Sequence, residues 1–216
     1  IIAIVQSTAS PKPRPYLMDK YFINVQKYDI DFILIWTKSD LIDDEAKEYI
    51  EVYKSVGIKS FIISEKASDI NEYDLLIDFL KGKTTALAGV SGVGKSSLIN
   101  KMCERKRMEV GSLSKKIERG KHTTRHSEIF CIDKDTYIYD TPGFSSIELS
   151  DMDEEDLESY YREMAKLSGD CKFNKCSHIT EPNCKIKDAL NCGKISKIRY
   201  DNYTKIYQEL KAKRRH

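Results

Sequence analysis

What this chain lacks narrows its class before any motif is read. No apolar run in its 216 residues approaches the roughly 18 that a helix needs to span a bilayer. The start, "IIAIVQSTAS", has no basic n-region and is short for the apolar core of a signal peptide. It also has no initiator Met, so we expect a fragment or a processed chain that begins in a strand, with an upstream domain absent. There are no internal repeats and no low-complexity linker, which sets aside repeat arrays and disordered tethers. Net charge is scarce too, only +2. With 40% hydrophobic and 32% charged residues, the composition is that of a soluble globular protein on the polar side of average. The length suits one full domain and a smaller one, and we expect a cytoplasmic protein, monomeric and without a membrane partner.

The charge that is present is uneven. Lys and Arg crowd the stretch from Arg105 to Arg125 and the tail from Lys185 to Arg215; the acids crowd "DMDEEDLE", Asp151 to Glu158. Such runs are most often solvated faces, and the sharper reading is contact with a polyanion such as RNA. The six cysteines are uneven as well. Cys103 and Cys131 sit in apolar-looking surroundings, while the others fall between Cys171 and Cys192. In a cytosolic protein that clustering points to a metal rather than to disulfides.

Short apolar runs alternate with amphipathic stretches. "IIAIV", "FILIW", "SFIIS" and "TTALAG" read as strands. "YLMDKYFINVQKYD", "DDEAKEYIEVYKSVG" (ended by Gly57), "NEYDLLIDFLKGK" (with Asn71 as N-cap) and "KSSLINKMCER" read as helices. "SEIFCI" and "TYIYD", separated by "DKD", suggest a hairpin. Strands alternating with helices predict an α/β fold with a mostly parallel, doubly wound sheet. After Ser150 the strand signals stop. "DEEDLESYYREMAKLSGDC" and "KISKIRYDNYTKIYQELKAKRRH" read as helices that flank the cysteine cluster. We therefore expect residues 1–148 to form one domain and 149–216 a small helical second one.

"GVSGVGKS" matches G-x-x-x-x-G-K-[ST] between a strand and a helix, the context a phosphate-binding loop requires. Gly89 and Gly94 let the backbone bend close, so that the N–H groups of Val90, Ser91, Gly92 and Val93 turn toward phosphate oxygens. The helix N-terminus at Lys95, Ser96 and Ser97 adds a field that favours an anion. Lys95 can reach the β- and γ-phosphates, and Ser96 can ligate Mg²⁺. Downstream, "YIYDTPGF" ends a strand in D-x-x-G. Alone this is a good turn signal; after a phosphate loop, Asp140 becomes a Mg²⁺ anchor and the Gly143 N–H a γ-phosphate sensor. Between them lies "ERGKHTTRHSE". Thr123 and Thr124 are candidates for a switch threonine that caps Mg²⁺ when a γ-phosphate is present, and we assign the role to Thr124.

"LIWTKSDL" precedes all of this. T-K-S-D is close to N-K-x-D, the loop that reads guanine, and it too ends a strand. In an open α/β sheet, ligands bind outside the carboxyl ends of the strands, so Thr37, Lys38, Ser39 and Asp40 can share a rim with the phosphate loop whatever their order. Asp40 would accept hydrogen bonds from guanine N1–H and the exocyclic amine, which adenine cannot supply, and the Lys38 stem would pack on the base. "ISEK", Ser64 to Lys66, ends the next strand and resembles the loop that contacts guanine O6. The order is therefore that of a GTPase cut and rejoined, a circular permutation that keeps the site in space.

"CKFNKCSHITEPNC" offers Cys171, Cys176, His178 and Cys184. Three thiolates and an imidazole suit a closed tetrahedral structural Zn²⁺ site, with Cys192 as a rival ligand. The alternative is a set of buried free cysteines. A closed site would stabilise a small loop-rich module with little core of its own.

"TKSD", "GVSGVGKSSLIN", "GKHTTRH", "DTPGF" and a downstream C-x4-C-x-H-x5-C together resemble the RsgA family of small ribosomal subunit biogenesis GTPases. The resemblance covers essentially the whole chain. It implies GTP hydrolysis, a role in late maturation of the small (30S) subunit, stimulation by the ribosome, contact with rRNA, and GTP/GDP, Mg²⁺ and Zn²⁺ as cofactors. It selects His178 over Cys192, and it implies an N-terminal OB-fold that these residues do not contain.

Two positions depart from common GTPase chemistry. Where many GTPases place a water-orienting Gln after D-x-x-G, this chain has Phe144. The group must come from elsewhere, with His122 and His126 as candidates, each also readable as an exposed basic residue. Thr37 replaces the commoner Asn and offers fewer hydrogen bonds, so we expect looser nucleotide binding with specificity intact. Two other classes stay open: a nucleotide-dependent binding module with negligible hydrolysis, and a P-loop ATPase or kinase in which T-K-S-D is accidental.

Overall fold

The computed structural model describes residues 1–64, 70–110, 128–140, 148–149 and 152–214. For 70–71 and 106–110 only the backbone is described. Six strands form one sheet: β1 (Ile2–Ser7), β2 (Phe32–Thr37), β3 (Ser60–Ile62), β4 (Thr84–Ala88), β5 (Glu128–Asp133) and β6 (Thr136–Asp140). The helices are α1 (Pro15–Lys27), α2 (Asp44–Ser55), α3 (Ile70–Leu80), α4 (Lys95–Val110), α5 (Arg162–Ala165), α6 (Lys185–Asn191) and α7 (Lys197–Lys213). Among the described residues, no helix is long and apolar enough to cross a membrane.

The strands lie in the order β3-β2-β1-β4-β6-β5. Neighbours pair in parallel from β3 through β6, and β5 is antiparallel to β6. Parallel strands covered on both faces have no polar side, which is why "IAIVQS" and "FILIWT" are apolar or buried almost throughout. The hairpin expected around "DKD" forms, with Lys134 and Asp135 as its turn. As an edge strand, β5 is covered less: Ile129 is 63% exposed and Cys131 is exposed too, while Ile132 is buried. From β1 the chain steps outward through β2 to β3, then returns to place β4 on the other side of β1. That reversal opens a crevice at the carboxyl ends of β1 and β4.

By internal contacts the chain divides into two compact units that are not contiguous in sequence. The first holds Ile1–Pro13, Asp31–Lys47 and the described part of Lys59–Ser145. Its main core is one face of the sheet. Ala3 and Val5, Ile33 and Ile35, Phe61, Leu87 and Ile138 pack with Tyr73, Leu76, Ile77 and Leu80 of α3 and with Leu98, Ile99 and Met102 of α4. On the alternate positions Ile4, Leu34 and Trp36 are also fully buried. Helix α3 begins at Ile70, so Asn71 lies in its first turn instead of capping it. The two assignments differ by the residue or two over which helix ends fray.

The second unit holds Arg14–Ile30, Glu48–Ile58 and the described part of Ser146–His216, so α1 and most of α2 belong with the C-terminal segment. Helix α2 ends as its Gly57 predicts. Gly57 takes φ +79°, its N–H donates to Lys54 O at 2.9 Å, and the Ile58 N–H donates to Tyr53 O at 3.1 Å, the paired bonds of a Schellman motif. The core joins Ile23 of α1 to Leu157, Tyr161, Met164, Ile186 and Ala189, and to Tyr203, Ile206 and Leu210 of α7.

Two expectations for this unit are corrected. The helix expected over "DEEDLESYYREMAKLSGDC" is broken into a 3-10 segment (Glu154–Tyr160), the single turn α5, and a second 3-10 turn (Ser168–Asp170). The break is at Tyr161, whose backbone is extended (φ −104°, ψ 90°). Its ring is fully buried, edge-on to Tyr203 at 5.4 Å and 4.3 Å from the Arg199 guanidinium. Burying such a ring is worth about 2–3 kcal/mol, more than the roughly 1 kcal/mol of a backbone hydrogen bond lost at the break.

The second correction concerns charge. Arg199, inside the basic tail, is 3% exposed and serves the interior. It pairs with the fully buried Asp19 of α1 and donates from Nε to Glu163 Oε1 at 2.8 Å. Asp19 also accepts from Tyr53 OH (3.0 Å) and Asn202 Nδ2 (2.8 Å). A buried charge persists only when paired and hydrogen-bonded in this way. The acidic run is not a wholly solvated face either, since Glu154 is 8% exposed.

Candidate functional site

Within the first unit, the carboxyl ends of the strands bring the predicted nucleotide residues onto one rim. The phosphate loop leaves β4 at Gly89, hard against β1: a Cβ there would stand 2.5 Å from Val5 O and 3.2 Å from a Val93 methyl. Only glycine fits so close an approach. Val93 anchors the loop from below, 1% exposed in the sheet core. Gly94 O accepts the Leu98 N–H at 2.9 Å, so α4 opens with Lys95, Ser96 and Ser97 in its first turn. Lys95 Nζ folds back over the loop and donates to Gly89 O at 2.7 Å and Val90 O at 3.2 Å.

Asp140 closes β6, paired in register with Leu87 of β4, which places it beside the phosphate loop. Burial pushes the Asp140 carboxyl up, opposed by the charge of Lys95 and reinforced by Glu128. Burial likewise lowers Lys95, opposed by Asp140. Each charge is thus held where desolvation disfavours it, with the other as compensation. Such a pair suits a polyanion arriving at the lysine and a cation at the carboxylate.

The base loop reaches the same rim from β2. Thr37, 2% exposed, donates from Oγ1 to Val93 O at 2.5 Å, with Gln6 O also within reach at 3.2 Å. A hydroxyl has one hydrogen, so it makes one of these bonds at a time. The tie between base loop and phosphate loop expected of Asn is therefore kept by Thr. Lys38 adopts the left-handed conformation (φ 59°, ψ 37°). Its Nζ donates to Gly92 O at 2.8 Å and to Ser10 O, so the stem is stretched across the loops. Ser39 N–H donates to Ile63 O at 3.2 Å, and Ser39–Leu41 form a 3-10 turn. Ser64 Oγ stands 3.3 Å from Asp40 Oδ1, so the two strand-end loops meet where the base would be read.

Lys66, His122, Thr123, Thr124, His126, Gly143 and Phe144 lie outside the described residues. Sequence reasoning missed the loop after β1. Thr8 Oγ1 donates to Lys38 O at 2.7 Å, and Pro11 lies 3.6 Å from the Cβ position of Gly92. "STASPKPRP" carries no known fingerprint. The available signal was its place, on a rim next to β2 and β4.

The second unit carries the metal-type cluster. The ligand atoms of Cys171, Cys176, His178 and Cys184 all lie within 4.8 Å of one another. His178 Nδ1 is 3.7 Å from Cys171 Sγ and 3.3 Å from Cys184 Sγ, and those two sulfurs are 4.0 Å apart. Zn–S bonds of about 2.3 Å and a Zn–N bond of about 2.0–2.1 Å require edges of roughly 3.5–3.8 Å, so the donor set fits zinc. Cys192 stands apart, its thiol 3.4 Å from Ala189 O.

The support around the cluster was not legible in the sequence. His178 is 1% exposed and left-handed (φ 62°), and its Nε2 meets Glu158 Oε2 at 2.6 Å. A carboxylate on the far nitrogen fixes the ring and leaves Nδ1 for a metal. Glu181 binds the loop by accepting from the Ser177, Ile179 and Thr180 N–H groups and from Ser177 Oγ. Burial pushes its carboxyl up, but these bonds prevail and hold it at about 2. Tyr200 and Tyr203 cap the carbonyls of His178 and Ser177.

A base loop, an O6 loop and a phosphate loop on one rim, met in that order along the chain, define a circularly permuted P-loop GTPase. The RsgA GTPase family model matches residues 1–150. The chain is 41% identical over 214 residues to the small ribosomal subunit biogenesis GTPase RsgA of Agathobacter rectalis, an alignment spanning 99% of this chain and 70% of the relative. It is 43% identical over 210 residues to that of Ruminiclostridium cellulolyticum, spanning 97% and 68%. Among solved structures it resembles YjeQ from Thermotoga maritima, with 30% identity and a TM-score of 0.77 over 97% of this chain and 70% of that one. It also resembles YloQ, described as a circularly permuted GTPase, with 32% identity and a TM-score of 0.75 over 98% and 68%. The chain belongs to the RsgA GTPase family.

Proposed function

We propose that this chain is a GTP-hydrolysing switch in late maturation of the small (30S) ribosomal subunit, slow alone and stimulated by the subunit. The observation that carries the reading is the rim itself. Asp40 beside Ser64 is tied through Thr37 to the loop that carries Lys95, and Asp140 lies alongside. Its relatives are named for small-subunit biogenesis. In the reaction, a water oxygen bonds to the γ-phosphorus as the bond to the β-bridging oxygen breaks. The electron pair leaves on GDP and the water's protons pass to phosphate and solvent. Catalysis of this kind is positioning and charge stabilisation. Lys95 exchanges its Gly89 and Val90 carbonyls for the β- and γ-phosphates. Ser96, Asp140 and Thr124 would hold Mg²⁺, which offsets phosphate charge when bound. The Gly143 N–H senses the γ-phosphate. Phe144 cannot orient water, which is the reason for the slow intrinsic rate; His122 and His126 are the candidates on this chain.

In the same reading, residues 1–148 are the GTPase domain by sequence and 149–216 a zinc module, although α1 and most of α2 pack with the latter. Cys171, Cys176, His178 and Cys184 hold one structural Zn²⁺. Exposed Lys194, Lys205 and Lys211 offer positive charge to rRNA. The protein works as a cytoplasmic monomer. The test is GTP turnover with and without purified small subunits, and equal rates would sink the stimulated-switch reading. Phe144 also favours a second reading, a GTP-dependent binding module with negligible hydrolysis. Single-turnover kinetics on the subunit separate the two.

A further inference from the structure

The base-reading loop depends on a residue outside every nucleotide motif. Thr8 is the first residue past β1 and is fully buried. Its backbone N–H donates to Thr37 O at 3.0 Å, carrying the β1–β2 ladder one residue beyond the strands. Its hydroxyl donates to Lys38 O at 2.7 Å. The same Lys38 carbonyl accepts the Leu41 N–H at 2.9 Å, the bond that closes the 3-10 turn over Asp40. A carbonyl has two lone pairs, and here both are used. The two bonds fix the plane of the peptide between Lys38 and Ser39, and with it the direction in which Asp40 leaves.

That peptide needs fixing. Lys38 is left-handed without being glycine, a conformation that persists only when its surroundings over-determine it. The Lys38 side chain holds one end through Gly92 O and Ser10 O. Thr8 holds the other. Thr8 is itself set by the preceding residue, where Ser7 Oγ accepts the Ala9 N–H at 3.2 Å.

We propose that Thr8 is a positioning residue for guanine recognition, acting through the Lys38 carbonyl to aim the Asp40 carboxylate at the base edge. The proposal rests on Asp40 reading guanine. A hydroxyl-free residue at this place leaves the Lys38 carbonyl with one donor, lets the peptide rotate, and weakens the contacts that Asp40 makes. Loss of one such bond lowers affinity by about tenfold. The loss falls mainly on the exocyclic amine, the donor a turned carboxylate reaches least well.

The test compares GDP with inosine diphosphate, which lacks that amine, by equilibrium titration of the full chain. Wild type is expected to prefer GDP. Thr8→Val, close in shape but without the hydroxyl, is expected to weaken GDP about tenfold and to narrow the GDP-to-IDP ratio severalfold. Thr8→Ser keeps the hydroxyl and is expected to restore both. A wild-type ratio in Thr8→Val overturns the inference, because a merely structural role would weaken both nucleotides alike. A narrowed ratio in Thr8→Ser overturns it too, since the methyl would then be the cause. Should Thr8→Val not fold, Thr8→Ala takes its place under the same criterion, and the Thr8→Ser result still decides. If wild type itself binds the two nucleotides equally, base reading by Asp40 fails, an outcome distinct from failure of Thr8.

Discussion

The nucleotide rim and the cysteine-histidine centre are built on opposite plans. The rim is mostly backbone. Carbonyls of Gly89, Val90, Gly92, Val93 and Lys38 do the holding, and the elements that bring them together are distant in sequence. The centre is mostly side chains from one short stretch, supported by Glu158 and Glu181. A backbone-built site survives permutation because the sheet, not the chain order, fixes where strand ends lie. A side-chain cluster with no open ligand position is expected to govern stability more than chemistry, alongside the apolar core of its unit.

The largest effect is expected from breaking the centre. Cys184→Ala leaves an incomplete donor set, and structural zinc in small modules contributes on the order of 10 kcal/mol to folding. The variant should lose stoichiometric zinc and the cooperative unfolding of its C-terminal residues; retention of both would place the stabilisation in the apolar core instead. Next comes Lys95→Ala on the rim, expected to slow single-turnover hydrolysis by about 10²–10³-fold with little change in melting temperature. A large fall in melting temperature would erase the contrast between the regions. Asp40→Asn should weaken GTP by about a hundredfold and admit a xanthine nucleotide, whose O2 accepts from the Asn amide N–H at the place where guanine's amine donates to Asp40. Equal GTP and ATP affinity in wild type would remove the base-reading role.

Smaller effects sharpen the comparison. Glu158→Gln keeps the shape but weakens the grip on His178, and metal affinity should fall about 10–100-fold in a chelator competition. The smallest is a pH effect. Glu181 is held at about 2, below its ordinary 4.5. Its contribution is therefore complete above about pH 4.5 and lost as pH falls toward 2. After allowance for solvent screening, wild type should lose about 1 kcal/mol over that window that Glu181→Gln does not lose, measured as the difference between the two zinc-loaded proteins so that acid release of the metal is common to both.

The shared placement of the rim residues was legible, because each motif ends a strand of one sheet. Glycine is required where Gly89 passes Val5 O, and the proposed reading of guanine calls for a carboxylate such as Asp40. The hairpin and the parallel strands followed from apolar runs and turns. Other features were not legible, for definite reasons. The helix over "DEEDLESYYREMAKLSGDC" had the right spacing, yet burial of the Tyr161 ring outweighed propensity. Glu158 sat in an acidic run that reads as solvated, and only folding set it against His178. Arg199 looked like one more cation of a basic tail. Thr37 looked like a weakened Asn, because the spacing of its hydroxyl from Val93 O is a tertiary distance.

By itself the sequence determined the class of sheet, the permuted order of the nucleotide motifs, and the chemistry of the thiolate and imidazole set. Those are properties of residue types at fixed local spacing. Tertiary structure alone decided that Glu158 holds the far nitrogen of His178. It likewise decided that Asp19 and Arg199 share a buried site, and that Thr8 holds the carbonyl of Lys38. Each of these joins positions far apart in the chain. The energy of such contacts comes from desolvated partners meeting at hydrogen-bond distance, which no local pattern records.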